Sequence, residues 1–244
     1  MNILIFGATS TIAQAVAMRY AAAENRFYLV ARNGEKLAAL HRRLIDSGAG
    51  EVETAHSDLA RLEDHPALIE AAFEWLQSVD LVLIAHGTLP DQARCEQDAE
   101  AMLEALNVPG LPAVSLLPPL APGLLYLGPG PPAANTAAAG PRGRPSNYVY
   151  GSAKALVSAF LQGLRGKLHG AGVHVIDIRP GLVDSPMTAH LQKSPLFSSP
   201  ERVAGGIVRA VARKKHTVYV PGYWYFIMEI VRFLPDAIFK RLNF

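Results

Sequence analysis

An apolar strand that runs straight into a glycine turn and then a helix constrains this chain more than any other feature. Ile3-Leu4-Ile5-Phe6 ends at Gly7, and the alanine-rich stretch from Thr11 to Glu24 follows, with Ile12, Ala15, Val16 and Arg19-Tyr20 at helical spacing. A short, wholly apolar run of this kind reads as a parallel strand buried on both faces. The same alternation continues along the chain. Phe27–Ala31 is a second strand, and Leu37, Leu40 and Leu44 mark a helix over 35–44, closed by Gly48 and Gly50. Further strands are expected at 52–56, 81–85, 124–127, 173–178 and 217–220, with helices at 68–76, from 96 to about 106, 148–168 and 201–213.

Strands alternating with helices imply right-handed crossovers. The expected fold class is α/β: one doubly wound Rossmann-type domain over residues 1–244, with a parallel sheet of about seven strands and helices on both faces. Its 244 residues suit one such domain, and neither an internal repeat nor a polar linker divides them. The longest charge-free stretch, 105–141, contains nine prolines and five glycines, which argues against a membrane-spanning helix.

Composition removes several classes of function. Half the residues are apolar and 18% are charged, which excludes disorder as a global description. Cys95 is the single cysteine, so neither a disulfide framework nor a cysteine-based zinc cage is available. The eight histidines lack metal-ligand spacing, and no metal site is expected. A net charge of +2 is too balanced to indicate a nucleic-acid partner. The first residues lack the basic region of a signal peptide, so a reducing cytoplasm is the expected compartment.

Gly7-Ala8-Thr9-Ser10-Thr11-Ile12-Ala13 sits where a strand-to-helix turn would cradle a dinucleotide pyrophosphate. Free N–H groups and the helix dipole favour an anion there, and Thr9, Ser10 and Thr11 add hydroxyl donors. Thr11 and Ala13 replace two of the usual glycines, and the pattern also suits a plain turn with a Ser/Thr cap. After the second strand, an acidic residue would bind a ribose 2′-hydroxyl. Here Ala31 is followed by Arg32 and Asn33, and a cation at that point pairs with a 2′-phosphate, favouring NADP(H). Downstream, Tyr150 and Lys154 are four residues apart and share one helix face. A nearby cation favours the phenolate, so this pair can exchange a proton with a carbonyl oxygen while a nicotinamide exchanges hydride with its carbon.

Together and in this order, these segments resemble the short-chain dehydrogenase/reductase family, and the resemblance covers essentially the whole chain. It implies an oxidoreductase that interconverts a small-molecule carbonyl and a secondary alcohol, with Tyr150 as acid/base and Lys154 tuning it and holding ribose. Asp58-Leu59 matches the adenine contact, Ala85-His86-Gly87 the segment after the fourth strand, and Asn107 the asparagine of a proton relay. Arg179-Pro180-Gly181-Leu182-Val183 matches the segment beside the nicotinamide, which brings Pro180, Gly181 and Val183 to the cofactor. Family members are often homo-oligomers.

The family's serine, which holds the carbonyl, normally lies thirteen residues before the tyrosine and just after the fifth strand. Counting back from Tyr150 gives Ala137, whereas counting from a strand at 124–127 gives Pro129 or Gly130. Thr136 is the hydroxyl available in this stretch, and it is the candidate fourth catalytic residue. The alternative is an NADP(H)-binding relative with weak or no catalysis.

Residues 189–200 are expected to form a substrate lid, and 222–244 an apolar C-terminal extension. Tyr223-Trp224-Tyr225-Phe226-Ile227-Met228, flanked further on by Arg232, Lys240 and Arg241, suits a peripheral membrane contact, a dimer contact or a cover for the core. This tail and the Arg142–Gly151 region also resemble a bacterial branch of the family that acts on a keto sugar carried by a lipid phosphate, which implies a lipid-linked substrate.

Overall fold

The computed structural model describes residues 1–127, 132–135 and 142–241, with side chains described for 1–120 and 142–241. Strands β1 (Asn2–Phe6), β2 (Arg26–Ala31), β3 (Glu51–His56), β4 (Leu81–Ile84), β5 (Pro132–Asn135), β6 (Ile176–Pro180) and β7 (Thr217–Val220) form one sheet in the order β3-β2-β1-β4-β5-β6-β7. Every pairing is parallel; Ile3 is opposite Phe27 on one side and Leu81 on the other.

The period of a strand divides the core into two layers. Ile3 and Ile5 of β1 face one layer, covered by α1 (Thr11–Ala21), α2 (Gly34–Asp46) and α7 (Pro200–Ala212) through Val16, Leu40 and Ile207. Leu4 and Phe6 face the other, covered by α3 (His65–Leu76), α5 (Ala99–Leu127) and α6 (Tyr148–Leu168) through Ile69, Leu117 and Leu161. Because both faces are covered, Ile3–Phe6 of β1 and the whole of β4 are apolar rather than alternating. Local chemistry starts the helices: Ser10 caps α1 by accepting from the N–H of Ala13, and Asn33 caps α2 by accepting from that of Lys36.

The structure corrects the expectation for 81–135. One helix was expected from residue 96; instead α4 (Gln92–Gln97) ends at extended Asp98, whose carboxylate accepts from the N–H of Glu100 and restarts the chain as α5. The expected strand at 124–127 is the end of α5, and the strand between β4 and β6 is Pro132–Asn135. A four-residue apolar run is compatible with either element. Pro132 can begin a strand because its missing N–H falls at the strand's start. The stretch Ala99–Leu120 is long and apolar enough to cross a membrane by length and composition. Its Ala113, Leu116, Leu117 and Leu120 are buried in the second core layer. That burial outweighs the helix-breaking tendency of Pro109, Pro112, Pro118 and Pro119.

Chain order reverses between β1 and β4, and the carboxyl ends of the strands open a crevice at that point. Past β7, α8 (Tyr223–Phe233) and α9 (Asp236–Phe239) close over the same edge. Arg142 fastens them: its guanidinium donates to the carbonyls of Val231 (2.7 Å) and Leu234 (2.6 Å), pairs with Asp236 and stacks 3.8 Å over Phe239.

Candidate active site

A cavity of about 610 Å³ opens at this edge. Gly7 turns the chain from β1 into α1 with a φ of +76°, and a methyl group there would lie 2.8 Å from the backbone nitrogen of His86. Both the left-handed backbone and the close approach to β4 therefore require glycine. The N–H groups of Gly7 and Ala8 both donate to Val30, which fixes the turn against β2. Thr9, Ser10, Thr11 and Ile12 line the cavity where the first-turn N–H groups of α1 lack intrahelical partners.

Arg32, just past β2, and Lys36, in the first turn of α2, line the cavity, with Arg32 3.6 Å from Asp58. The Ala60 N–H, followed by the Arg32 charge, holds the Asp58 carboxyl below the usual carboxylate range. Asn33 lines the cavity too, but its side-chain oxygen is occupied in capping α2. Leu59, Ala85, His86 and Gly87 complete this side. Among the described residues, the His86 Nε2 is buried without a hydrogen-bond partner. Burial and then the Lys154 charge push the imidazole down to about 4.

Tyr150 and Lys154 project from the first turns of α6 into the same cavity, with the Lys154 Nζ 5.7 Å from the tyrosine ring centroid. Burial pushes Lys154 down to about 8 and the Tyr150 phenol up to about 12. The cation that opposes the latter shift is Arg144, where the sequence pattern pointed to Lys154. Pro180, Gly181, Leu182 and Val183 form the opposite wall, and Trp224 from α8 covers Gly181.

Every residue expected to bind cofactor thus borders one cavity with Tyr150 and Lys154. Asn107 is exposed on α5 and does not line it. Thr136 lies outside the described residues. With β5 ending at Asn135, the two ways of counting to the serine position converge, since Ala137 now falls two residues past the strand. From the expected lid, Leu191 reaches the cavity, and the segment is tied at its end by the bridge between Val183 and Ser198.

Sequence reasoning missed Lys36, Arg144, Asn147 and Trp224. Lys36 was within reach, four residues after Arg32 and in the first turn of α2. Trp224 gave no signal, because only the turn after β7 directs it back to the sheet edge.

The observed residues fit a nicotinamide dinucleotide: a glycine-dependent turn with free N–H donors, cations beside a ribose-binding position, and an orphaned imidazole nitrogen in the cavity wall. The short chain dehydrogenase model matches residues 1–195. The chain belongs to the short-chain dehydrogenase/reductase family of NAD(P)-binding oxidoreductases. It is 35% identical over 240 residues to an uncharacterized oxidoreductase of Mycobacterium tuberculosis, covering 98% of this chain and 96% of that one. An uncharacterized oxidoreductase of Streptomyces coelicolor is 37% identical over 245 residues, covering 99% and 95%. Among solved structures, L-sorbose reductase from Gluconobacter frateurii, complexed with NADPH and L-sorbose, superposes with a TM-score of 0.81 over 91% of this chain and 95% of that one, at 22% identity.

Proposed function

We propose that this protein is an NADP(H)-dependent reductase of small carbonyl compounds, with Tyr150 as the acid. The observation that carries this reading is the cavity shared by the Gly7–Ile12 turn, the Arg32/Lys36 cations and the Tyr150–Lys154 pair. When bound, the nicotinamide supplies hydride to the carbonyl carbon. The Tyr150 hydroxyl gives its proton to the carbonyl oxygen, so hydride and proton together convert C=O to CH–OH. A phenol pushed up to about 12 holds that proton throughout the neutral range. The cationic side chains of Arg144 and Lys154 stabilise the phenolate left behind.

Arg32 and Lys36 supply two positive charges for a 2′-phosphate, which supports NADPH over NADH. The exposed apolar face of α8, formed by Phe226, Ile230 and Phe233, supports a peripheral contact with the cytoplasmic face of a membrane. A second reading, cofactor binding with feeble turnover, is favoured by Ala137 at the serine's position. Loss of one positioned donor costs ~10²–10³ in rate at comparable sites.

Stopped-flow NADPH oxidation with a carbonyl panel separates the readings. For the reductase, Tyr150→Phe lowers turnover at least about 100-fold and leaves the NADPH dissociation constant within about threefold. Arg32→Ala weakens NADPH at least about tenfold and NADH hardly at all. Turnover insensitive to Tyr150→Phe overturns the assigned acid, and equal loss of both nucleotides overturns the cofactor preference.

A further inference from the structure

The turn that precedes α6 presents two side chains to the cavity with buried polar atoms that the reductase chemistry leaves without a hydrogen-bond partner. Arg144 accepts at its carbonyl from the N–H of Asn147, 3.0 Å away, and both residues line the cavity beside Tyr150. Among the described residues, the Arg144 Nε is buried without a hydrogen-bond partner, and so is the Asn147 Oδ1. Asn147 sits at the N-cap of α6, yet its side chain does not cap the helix.

The other incompletely exposed arginines are all partnered among the described residues. Arg26 pairs with Glu51, Arg142 with Asp236 and the end of α8, Arg165 donates to Val175 and His216, and Arg179 pairs with Asp177. Arg144 makes neither an ion pair nor a hydrogen bond through its side chain among those residues. A half-buried guanidinium without a counter-charge destabilises a fold, and replacing it by an apolar side chain would relieve that cost. Its retention beside the reacting tyrosine is accounted for by a partner that arrives with the ligand.

We infer that Arg144 and Asn147 form a subsite for an oxyanion group carried by the substrate close to its reacting carbonyl: a carboxylate, phosphate or sulfonate. Arg144 supplies charge and paired N–H donors to the anion. The Asn147 oxygen accepts from a neighbouring hydroxyl or amide of the same molecule. The Gly7–Ile12 turn and Arg32, at the ends of β1 and β2, serve the nucleotide, whereas Arg144 precedes α6 and has no counter-charge among the described residues, so its N–H donors are open to the substrate. The reductase reading supplies the reaction to which the subsite contributes specificity.

The test uses the NADPH-saturated full-length protein, so that phosphate-binding groups of the nucleotide site are filled. Malonate and inorganic phosphate are titrated calorimetrically, with malonamide as the uncharged control. Wild type binds at least one of the two anions and not malonamide. Arg144→Leu weakens that binding at least tenfold, Arg144→Lys restores part of it, and the surface variant Arg202→Ala leaves it unchanged. Arg144→Leu also melts at the same temperature as wild type or higher, whereas a structural arginine would lower it.

In turnover, acetoacetate is preferred over acetoacetamide, or glyceraldehyde 3-phosphate over glyceraldehyde, and Arg144→Leu abolishes the preference. Which pair shows it identifies the anion as carboxylate or phosphate. Arg144-dependent anion binding without turnover of any carbonyl upholds the subsite and rejects the reductase reading. Anion binding unchanged in Arg144→Leu overturns the subsite. A uniform fall in kcat for charged and neutral substrates alike, with anion binding intact, also overturns it.

Discussion

Gly181, just past the end of β6, lies directly beneath the indole of Trp224, so that a methyl group at residue 181 would overlap the ring. The two residues are 43 positions apart in sequence and form one wall of the cavity. Gly181→Ala forces either the ring or the strand end to move. Overpacking of this kind costs about 1–3 kcal/mol, which for a chain of this size lowers the melting temperature by roughly 2–4 °C per kcal/mol. Affinity for the nicotinamide nucleotide falls with it. Energy transfer from tryptophan to a bound reduced nicotinamide reports the displacement, since Trp75, the other tryptophan, packs under Arg26 at the opposite end of the sheet.

Arg142 and Asp236 form an ion pair with unequal partners. The arginine side chain is 15% exposed and the aspartate 98%, and the arginine also holds carbonyls at the end of α8. Asp236→Ala is therefore expected to cost less than about 1 kcal/mol, as exposed ion-pair members do. Arg142→Ala removes the donor from those half-buried carbonyls together with the stacking on Phe239 and costs about 1–3 kcal/mol. Limited proteolysis should then cut near α9 in Arg142→Ala and spare Asp236→Ala.

The cavity also makes stability depend on pH. His86 is pushed from 6.5 down to about 4, so between those values the unfolded chain binds more protons than the folded one. Stability consequently rises with pH from about 4 to 6.5 and is lost on acidification through that window, by on the order of 3 kcal/mol at full protonation. Lys154, lowered from 10.5 to about 8, imposes a cost that is complete below pH 8 and is relieved as pH rises toward 10.5. Urea titrations at pH 4.5, 6.5 and 9.5 check both signs. His86→Asn should flatten the acidic slope, leaving the part contributed by His65, which burial also pushes down.

Much of the site was legible because its determinants are local. Gly7, Ser10, Arg32, Tyr150 and Lys154 each follow from a strand end, a cap or a four-residue helical spacing, and such short-range geometry is encoded by neighbouring residues. Residues 124–127 misled for a related reason. Periodicity in four apolar residues carries no information on whether a helix or a strand contains them, and only pairing of 132–135 between β4 and β6 decides it.

The sequence alone determined a parallel α/β fold, the glycine turn after β1 and the shared helix face of Tyr150 and Lys154, since all three rest on patterns repeated over a few residues. Tertiary structure decided which groups act on one another. It made Arg144, and not Lys154, the cation that opposes the rise at Tyr150, left Asn107 outside the cavity, and brought Trp224 back from the C-terminal extension to Gly181. Burial and long-range approach set those relationships, because desolvation and Coulomb interaction depend on distance through space and not on distance along the chain.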